Sequence, residues 1–90
     1  MSPIATAMKA ISYTKSAIRA LRKMPRSSAD LIRAKIEAYA ADPPSLANNV
    51  TALKGREGLR LRVGDWRVIM DDRGNVLAIL NIGPRGGIYD

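Results

Sequence analysis

The 90-residue sequence contains neither cysteine nor histidine. Without cysteine there is no disulfide framework and no thiolate zinc site. Without histidine, the sequence has neither the commonest metal ligand nor the commonest general acid or base of enzymes. Any catalysis must therefore rest on other side chains, and we expect no metal and no cofactor.

Long apolar runs are also missing, since no stretch approaches the length that a membrane-spanning helix needs. The opening residues MSPIATAMKA have no basic segment before their apolar part, so no signal peptide is expected. We therefore expect a cytoplasmic protein without a membrane partner. A chain of this length predicts one domain over residues 1–90, with residues 1–7 as a flexible leader.

Basic residues are what the sequence has in excess. Fifteen Lys and Arg stand against eight Asp and Glu, which gives a formal net charge of +7. Ten of the fifteen are arginine, whose planar guanidinium suits two-point contact with phosphate. This charge indicates nucleic acid, an acidic protein or an anionic surface as the partner.

The basic residues are patterned in the segment LRLRVGDWRVIM, residues 59–70. Leucine and arginine alternate before Gly64-Asp65, a dipeptide typical of a tight hairpin turn. A turn at that point pairs Arg62 with Arg67 and places both on one face with Arg60. The other face carries Leu59, Leu61, Val63, Trp66, Val68 and Met70. Because like charges directly opposite each other destabilise a sheet, this clustering indicates a polyanion site, and the alternative is a solvated strand face that is basic without a ligand.

The rest of the chain predicts an α+β fold. A short strand over residues 9–13 precedes two helices, which form an antiparallel hairpin and cover one face of the sheet. Thr14 is expected to cap the first helix, Pro25 to end it, and Ser27 or Ser28 to cap the second. The apolar stripes of these helices are predicted to be Ala17, Ile18, Leu21 and Met24, and Leu31, Ile32, Ile36 and Tyr39.

The second half of the chain is predicted to be a three-stranded antiparallel meander. Residues 45–51 are polar and are interpreted as a loop before the basic hairpin. Residues 71–75, DDRGN, predict a second turn, in which Asp71 and Asp72 are turn residues rather than metal ligands. Residues 76–82, VLAILNI, predict an inner strand.

Four segments together resemble the RelE/ParE superfamily of toxins from type II toxin–antitoxin pairs. They are TKSAIRALRKMP, ALKG, LRLRVGDWRVIM and NIGPRGGIY, and the resemblance runs from about Lys9 onward. It implies the RelE-like microbial RNase fold. The ending, with Ile-Gly, then arginine, then an apolar residue and tyrosine, resembles the RelE-like branch, whose members are ribosome-dependent endoribonucleases that cut mRNA.

This resemblance implies roles for individual residues. Arg62, Arg67, Arg85 and Tyr89 would be catalytic and Arg60 would bind the RNA phosphate, while Lys54 is either a further phosphate contact or a solvated loop residue. It further implies a cognate antitoxin with an acidic or amphipathic segment, the ribosome and mRNA as partners, and DNA only indirectly through the antitoxin.

The chain departs from the family pattern in two places. Arginine stands where the family often has lysine, and because arginine does not readily lose a proton, Arg62 suits phosphate binding better than proton abstraction. Gly86 and Gly87 stand where the family usually carries a charged or polar residue. Two alternatives stay open: a ParE-like DNA gyrase inhibitor without nuclease activity, and a non-catalytic basic module for RNA or an acidic partner.

Overall fold

The structure, a computed structural model, describes residues 8–86. The helices are α1, Lys15–Lys23, and α2, Arg26–Ala41, followed by a 3₁₀ helix over Pro43–Asn49. The strands are β1 Ala10–Tyr13, β2 Val50–Ala52, β3 Leu59–Val63, β4 Trp66–Asp72 and β5 Val76–Pro84. The predicted leader and Tyr89 lie outside the described residues.

One five-stranded sheet, in the order β1-β5-β4-β3-β2, forms the frame of the molecule. Strands β2 to β5 pair antiparallel with their neighbours, whereas β1 runs parallel to β5. The predicted α+β fold, with a helical hairpin on one face of the sheet, is confirmed. The sheet has one strand more than predicted, because β2 lies in the segment that was interpreted as a loop.

A hydrophobic core fills the space between the two helices and the sheet. Side chains from both helices meet the apolar face of the β3–β4 hairpin and of β5 there, with Trp66 half-buried against them. The fully buried members of this core include Ile32, Ile36, Leu61, Val68, Met70, Leu77 and Ile79. This core leaves the opposite face of the sheet available for polar side chains.

The helix ends follow the prediction in part. Thr14 caps α1, since its Oγ1 accepts a hydrogen bond from the Ala17 amide at 3.1 Å. The cap predicted at Ser27 or Ser28 is wrong, because α2 already begins at Arg26 and Pro25 precedes it without a side-chain bond. The Ala29 amide closes the first turn of α2 on the carbonyl oxygen of Pro25. Proline is compatible with this position because its fixed φ is close to the −55° observed for Pro25.

Two residues of the predicted apolar stripes lie outside the core. Ile18 is 38% exposed and Leu31 is 50% exposed. Neither residue belongs to the cluster of buried side chains between the helices and the sheet. No helix among residues 8–86 is long and apolar enough to cross a membrane.

Candidate functional site

A pocket of about 150 Å³ opens on the sheet face that points away from the helices. Six residues line it, and we call it the arginine pocket. They are Asn48, Asn49, Thr51, Arg60, Arg62 and Arg67. Drug-sized ligands occupy pockets of roughly 300–1,000 Å³, so this one fits a group the size of a phosphate.

Strand register brings the arginines together. Arg62 pairs directly with Arg67, and Val63 pairs with Trp66 across the turn at residues 64–65. Thr51 of β2 pairs with Arg60 of β3. Because paired residues share a face, the predicted clustering of the three arginines is confirmed.

The guanidinium of Arg67 is held by the backbone of its own hairpin. Its Nη1 donates to the carbonyl oxygen of Gly64 at 3.0 Å and to that of Trp66 at 2.9 Å. A guanidinium has five N–H donors, so these two bonds leave Nη2 and Nε with three. Those three donors remain for an anion in the pocket, and the two carbonyl bonds fix their position.

Arg62 has a different environment. Its side chain is exposed and forms no hydrogen bond or ion pair with any residue in the range 8–86. It directly faces the positive charge of Arg67, while Arg60 is half-buried beside them. An anion bound between Arg62 and Arg67 would neutralise their mutual repulsion.

Other sequence-predicted site residues do not line this pocket. Lys54 is exposed in the segment between β2 and β3. Arg85 is exposed after β5, but its backbone amide donates to the carbonyl oxygen of Asp65 at 2.7 Å. This bond ties the start of the chain's last segment to the turn that also holds Arg67. Tyr89 is outside the residues described.

Three of the lining residues were missed in the sequence. Asn48 and Asn49 end the 3₁₀ helix, and Thr51 lies in the unpredicted strand β2. The available signal was the Asn-Asn pair followed by Val50-Thr51-Ala52, a short stretch with strand propensity. The polar composition of residues 45–51 outweighed that signal.

Asp71 and Asp72 lie in strand β4 rather than in the predicted turn, which is confined to residues 73–75. Asp72 accepts hydrogen bonds from the Tyr39 hydroxyl at 3.0 Å and from the Gly74 amide at 3.0 Å. It also pairs with the Lys9 ammonium at 3.1 Å. The strand extends further than expected because Asp71 and Asp72 continue the ladder with Ala78 and Leu77 of β5.

These contacts shift two pKa values. Burial alone would raise the pKa of Asp72, but the hydrogen bonds from Gly74, Lys9 and Tyr39 outweigh it and lower that pKa. Burial, and then the bond to Asp72, raises the pKa of Tyr39 to about 12.

Asp71 accepts a hydrogen bond from Arg73 Nε at 2.9 Å. No cluster of three or more acidic residues suited to a metal ion occurs within residues 8–86.

Comparison with known families gives one match that covers most of the chain. Residues 11–89 match the family described as the ParE toxin of the type II toxin–antitoxin system, parDE. A search of curated protein sequences found no significant match.

Comparison with solved structures identifies similar folds. A chain of the archaeal RelE–RelB complex from Pyrococcus horikoshii OT3 is 24% identical with a TM-score of 0.73, covering 90% of this chain and 99% of that one. A chain of the RelB–RelE antitoxin–toxin complex from Methanococcus jannaschii is 21% identical with a TM-score of 0.70, at 88% and 95% coverage. The intact E. coli RelBE toxin–antitoxin complex gives 17% identity and a TM-score of 0.63, at 84% and 95% coverage. At these identities the likeness establishes the fold.

Proposed function

The chain belongs to the ParE toxin family of type II toxin–antitoxin systems, and within that family we propose that it acts as a ribosome-dependent endoribonuclease that cleaves mRNA. One observation carries the proposal: Arg60, Arg62 and Arg67 line a single pocket of phosphate size. The likeness to RelE folds in three complexes supports it.

The reaction that suits such a pocket uses the RNA as its own nucleophile. The ribose 2′-oxygen attacks the adjacent phosphorus and loses its proton, and the bond from phosphorus to the 5′-oxygen breaks. The leaving 5′-oxygen takes up a proton, so the products are a 2′,3′-cyclic phosphate and a 5′-hydroxyl. Negative charge accumulates on the phosphorane oxygens in between, and fixed guanidinium donors stabilise it.

The arginines divide this work according to their surroundings. Arg67, held by two carbonyl oxygens, offers a preorganised set of donors to the phosphorane. Arg62 and Arg60 supply charge from the neighbouring strand and grip the scissile phosphate. Arg62 takes no part in proton transfer, since a guanidinium does not lose its proton in proteins.

Residues outside the pocket complete the proposed site. Arg85 would neutralise charge near the leaving 5′-oxygen, which its attachment to the hairpin turn supports. Tyr89 would stack on a base or orient the 2′-hydroxyl. Lys54 would contact a further phosphate of the RNA.

The proposed partners follow from the same premise. A site so poor in acid and base groups leaves in-line positioning of the RNA to the ribosome. A cognate antitoxin with an acidic or amphipathic segment would suit the net charge of +7, and complexes with RelB among the similar folds support such a partner. DNA would be reached only through that antitoxin.

The test is to add the protein to translating ribosomes and map the ends of the mRNA. We expect new 2′,3′-cyclic phosphate ends with the unmodified chain and about 100-fold slower cleavage with Arg62→Ala, the cost of removing one charge-stabilising donor. Arg26→Ala is the matched control, because Arg26 is an exposed arginine that does not line the pocket. Equal rates for all three proteins would refute the assignment of Arg62.

A second candidate is a DNA gyrase inhibitor without nuclease activity, which the match to the ParE toxin family favours. Expression in growing cells separates the two. Growth arrest with degraded mRNA indicates the nuclease. Growth arrest with intact mRNA and an induced DNA-damage response indicates the gyrase inhibitor.

A further inference from the structure

The arginine pocket has a second side that is not cationic. Asn48 and Asn49 reach it from the end of the 3₁₀ helix, and Thr51 reaches it from β2. Thr51 pairs with Arg60, and the two asparagines line the same opening as the arginines. A ligand that enters the pocket therefore meets both kinds of group.

The side chains of the two asparagines make no hydrogen bond that would stabilise the described part of the fold. Neither side chain forms a hydrogen bond with any residue in the described range 8–86. The start of the 3₁₀ helix is secured elsewhere, because the backbone amide and the hydroxyl of Ser45 both donate to the carbonyl oxygen of Asp42. Asn48 is exposed and Asn49 is half-buried, so both amides keep donors and acceptors for an external partner.

The chemistry of these amides differs from that of the arginines. A guanidinium only donates hydrogen bonds, which suits phosphate oxygens that only accept. A carboxamide presents an acceptor beside a donor, and phosphate has nothing to give to the acceptor. The edge of a nucleobase does present a donor beside an acceptor, as adenine does with N6 and N7.

We infer that Asn48 and Asn49 form a nucleobase subsite beside the arginine pocket, and that they read the edge of the base next to the bound phosphate. The inference rests on the proposed function in taking RNA as the ligand. A volume of about 150 Å³ does not enclose a nucleotide. The base therefore lies at the rim, with one edge toward the amides and its phosphate toward the arginines. The protein then binds an oligonucleotide that carries a base at this position more tightly than one with an abasic site.

A binding experiment tests this subsite without requiring catalysis. Fluorescently labelled 2′-O-methyl RNA tetranucleotides, which cannot be cleaved because the attacking hydroxyl is blocked, are titrated with protein at fixed salt. The tetranucleotides differ only in their bases. We expect the unmodified chain to bind adenine oligonucleotides about tenfold more tightly than an oligonucleotide of abasic sites, the discrimination typical of a two-point amide contact.

Variants of the asparagines and of one arginine separate base recognition from phosphate binding. In Asn48→Ala/Asn49→Ala the preference for adenine over abasic sites should vanish, while affinity for the abasic oligonucleotide stays unchanged. Arg62→Ala should weaken binding to every oligonucleotide and keep the preference. Asn75→Ala is the matched control, since Asn75 is exposed in the β4–β5 turn and does not line the arginine pocket.

Unchanged preference in the double variant overturns the subsite, as does equal or undetectable binding of all oligonucleotides to the unmodified chain. Failure of the proposed nuclease shows differently, as intact mRNA on ribosomes. Circular dichroism of each variant checks that the fold is retained, so that lost binding is assigned to the missing side chains.

Discussion

At the scale of single residues, Arg67 differs most from its neighbours. Two carbonyl oxygens of the β3–β4 hairpin fix its Nη1, so the remaining N–H donors of the guanidinium have a fixed position. Arg62 has an exposed side chain of the same charge, without bonds of this kind to residues 8–86. The two arginines therefore contribute to anion binding in different ways, one by geometry and one by charge.

Replacement of each arginine by lysine distinguishes geometry from charge. Lysine keeps the positive charge but cannot hold two carbonyls and an anion in one plane. We expect Arg67→Lys to weaken RNA binding about tenfold, the cost of one charged hydrogen bond, and Arg62→Lys to change it by less than about threefold. Titration of uncleavable RNA measures the affinity of both variants. A larger loss of affinity in Arg62→Lys than in Arg67→Lys would contradict the distinction between geometry and charge.

Tyr39 gives a residue-scale prediction about stability. Its hydroxyl donates to Asp72 from a buried position, whereas Asp72 keeps its bonds to Gly74 and Lys9 without it. Tyr39→Phe should therefore lower the free energy of unfolding by about 1 kcal/mol, the net value of one hydrogen bond. Urea unfolding measures this loss. No change in the midpoint would mean that the bond contributes nothing to stability.

At the scale of elements, the register of the β3–β4 hairpin was predictable because local signals suffice, although β4 extends two residues further than predicted. Alternation of period two assigned the faces, and Gly64-Asp65 set the register. The pairing of β1 with β5 was not predictable in this way, since the two strands are far apart in the chain and no turn links them. Strand β2 is three residues long, too short for a periodic signal.

The two sides of the arginine pocket differ in the same way in how far the sequence predicts them. The arginine side of the pocket follows from hairpin register alone. The asparagine side needs the position of the 3₁₀ helix against β2 and β3, which only the folded chain provides. Sequence patterns likewise gave no measure of how far the sheet covers the helices, and so they placed Ile18 and Leu31 in the core.

Two glycines test what the strand connections tolerate. Gly64 has φ +58° with nothing within 4 Å of an added Cβ, so Gly64→Ala should cost about 1 kcal/mol from backbone strain alone. Gly58 has φ +121°, and an added Cβ would lie 3.0 Å from Leu53 Cδ1 and 3.2 Å from the Met70 carbonyl oxygen. Gly58→Ala should cost more, about 2–3 kcal/mol. Thermal unfolding compares them, and the reverse order would contradict the steric account.

At the scale of the whole molecule, pH changes stability through two linked groups. The lowered pKa of Asp72 gives stability that is present above the ordinary aspartate value and lost as pH falls through the folded value. The raised pKa of Tyr39 gives stability that is present below pH 10 and lost as pH rises toward about 12.

Variants isolate these two contributions. The stability deficit of Asp72→Asn should shrink as pH falls below about 4, and that of Tyr39→Phe should shrink as pH rises above about 10. Melting temperatures across the pH range, each variant beside the unmodified chain, measure the differences. A deficit that stays constant with pH would show that the group does not titrate differently on folding.

Net charge sets a second property of the whole molecule, the salt dependence of RNA binding. With three arginines on one phosphate path, the logarithm of affinity should fall with the logarithm of salt concentration with a slope of about −2 for single-stranded RNA. Arg62→Ala should reduce the slope by about 0.7, whereas the asparagine variants should leave it unchanged. An unaltered slope in Arg62→Ala would place the phosphate elsewhere.

The parallel pairing of the first strand with the last has a consequence for biosynthesis. During translation, Ala10 to Tyr13 emerge early but have no neighbour until Val76 to Ile79 follow. Helix α1 packs against β5, so it lacks this packing surface until β5 has been synthesised. A nascent or prematurely terminated chain that lacks β5 therefore carries the hairpin arginines on an incompletely folded sheet. The arginine pocket would therefore be supported by a complete sheet only after β5 has been synthesised.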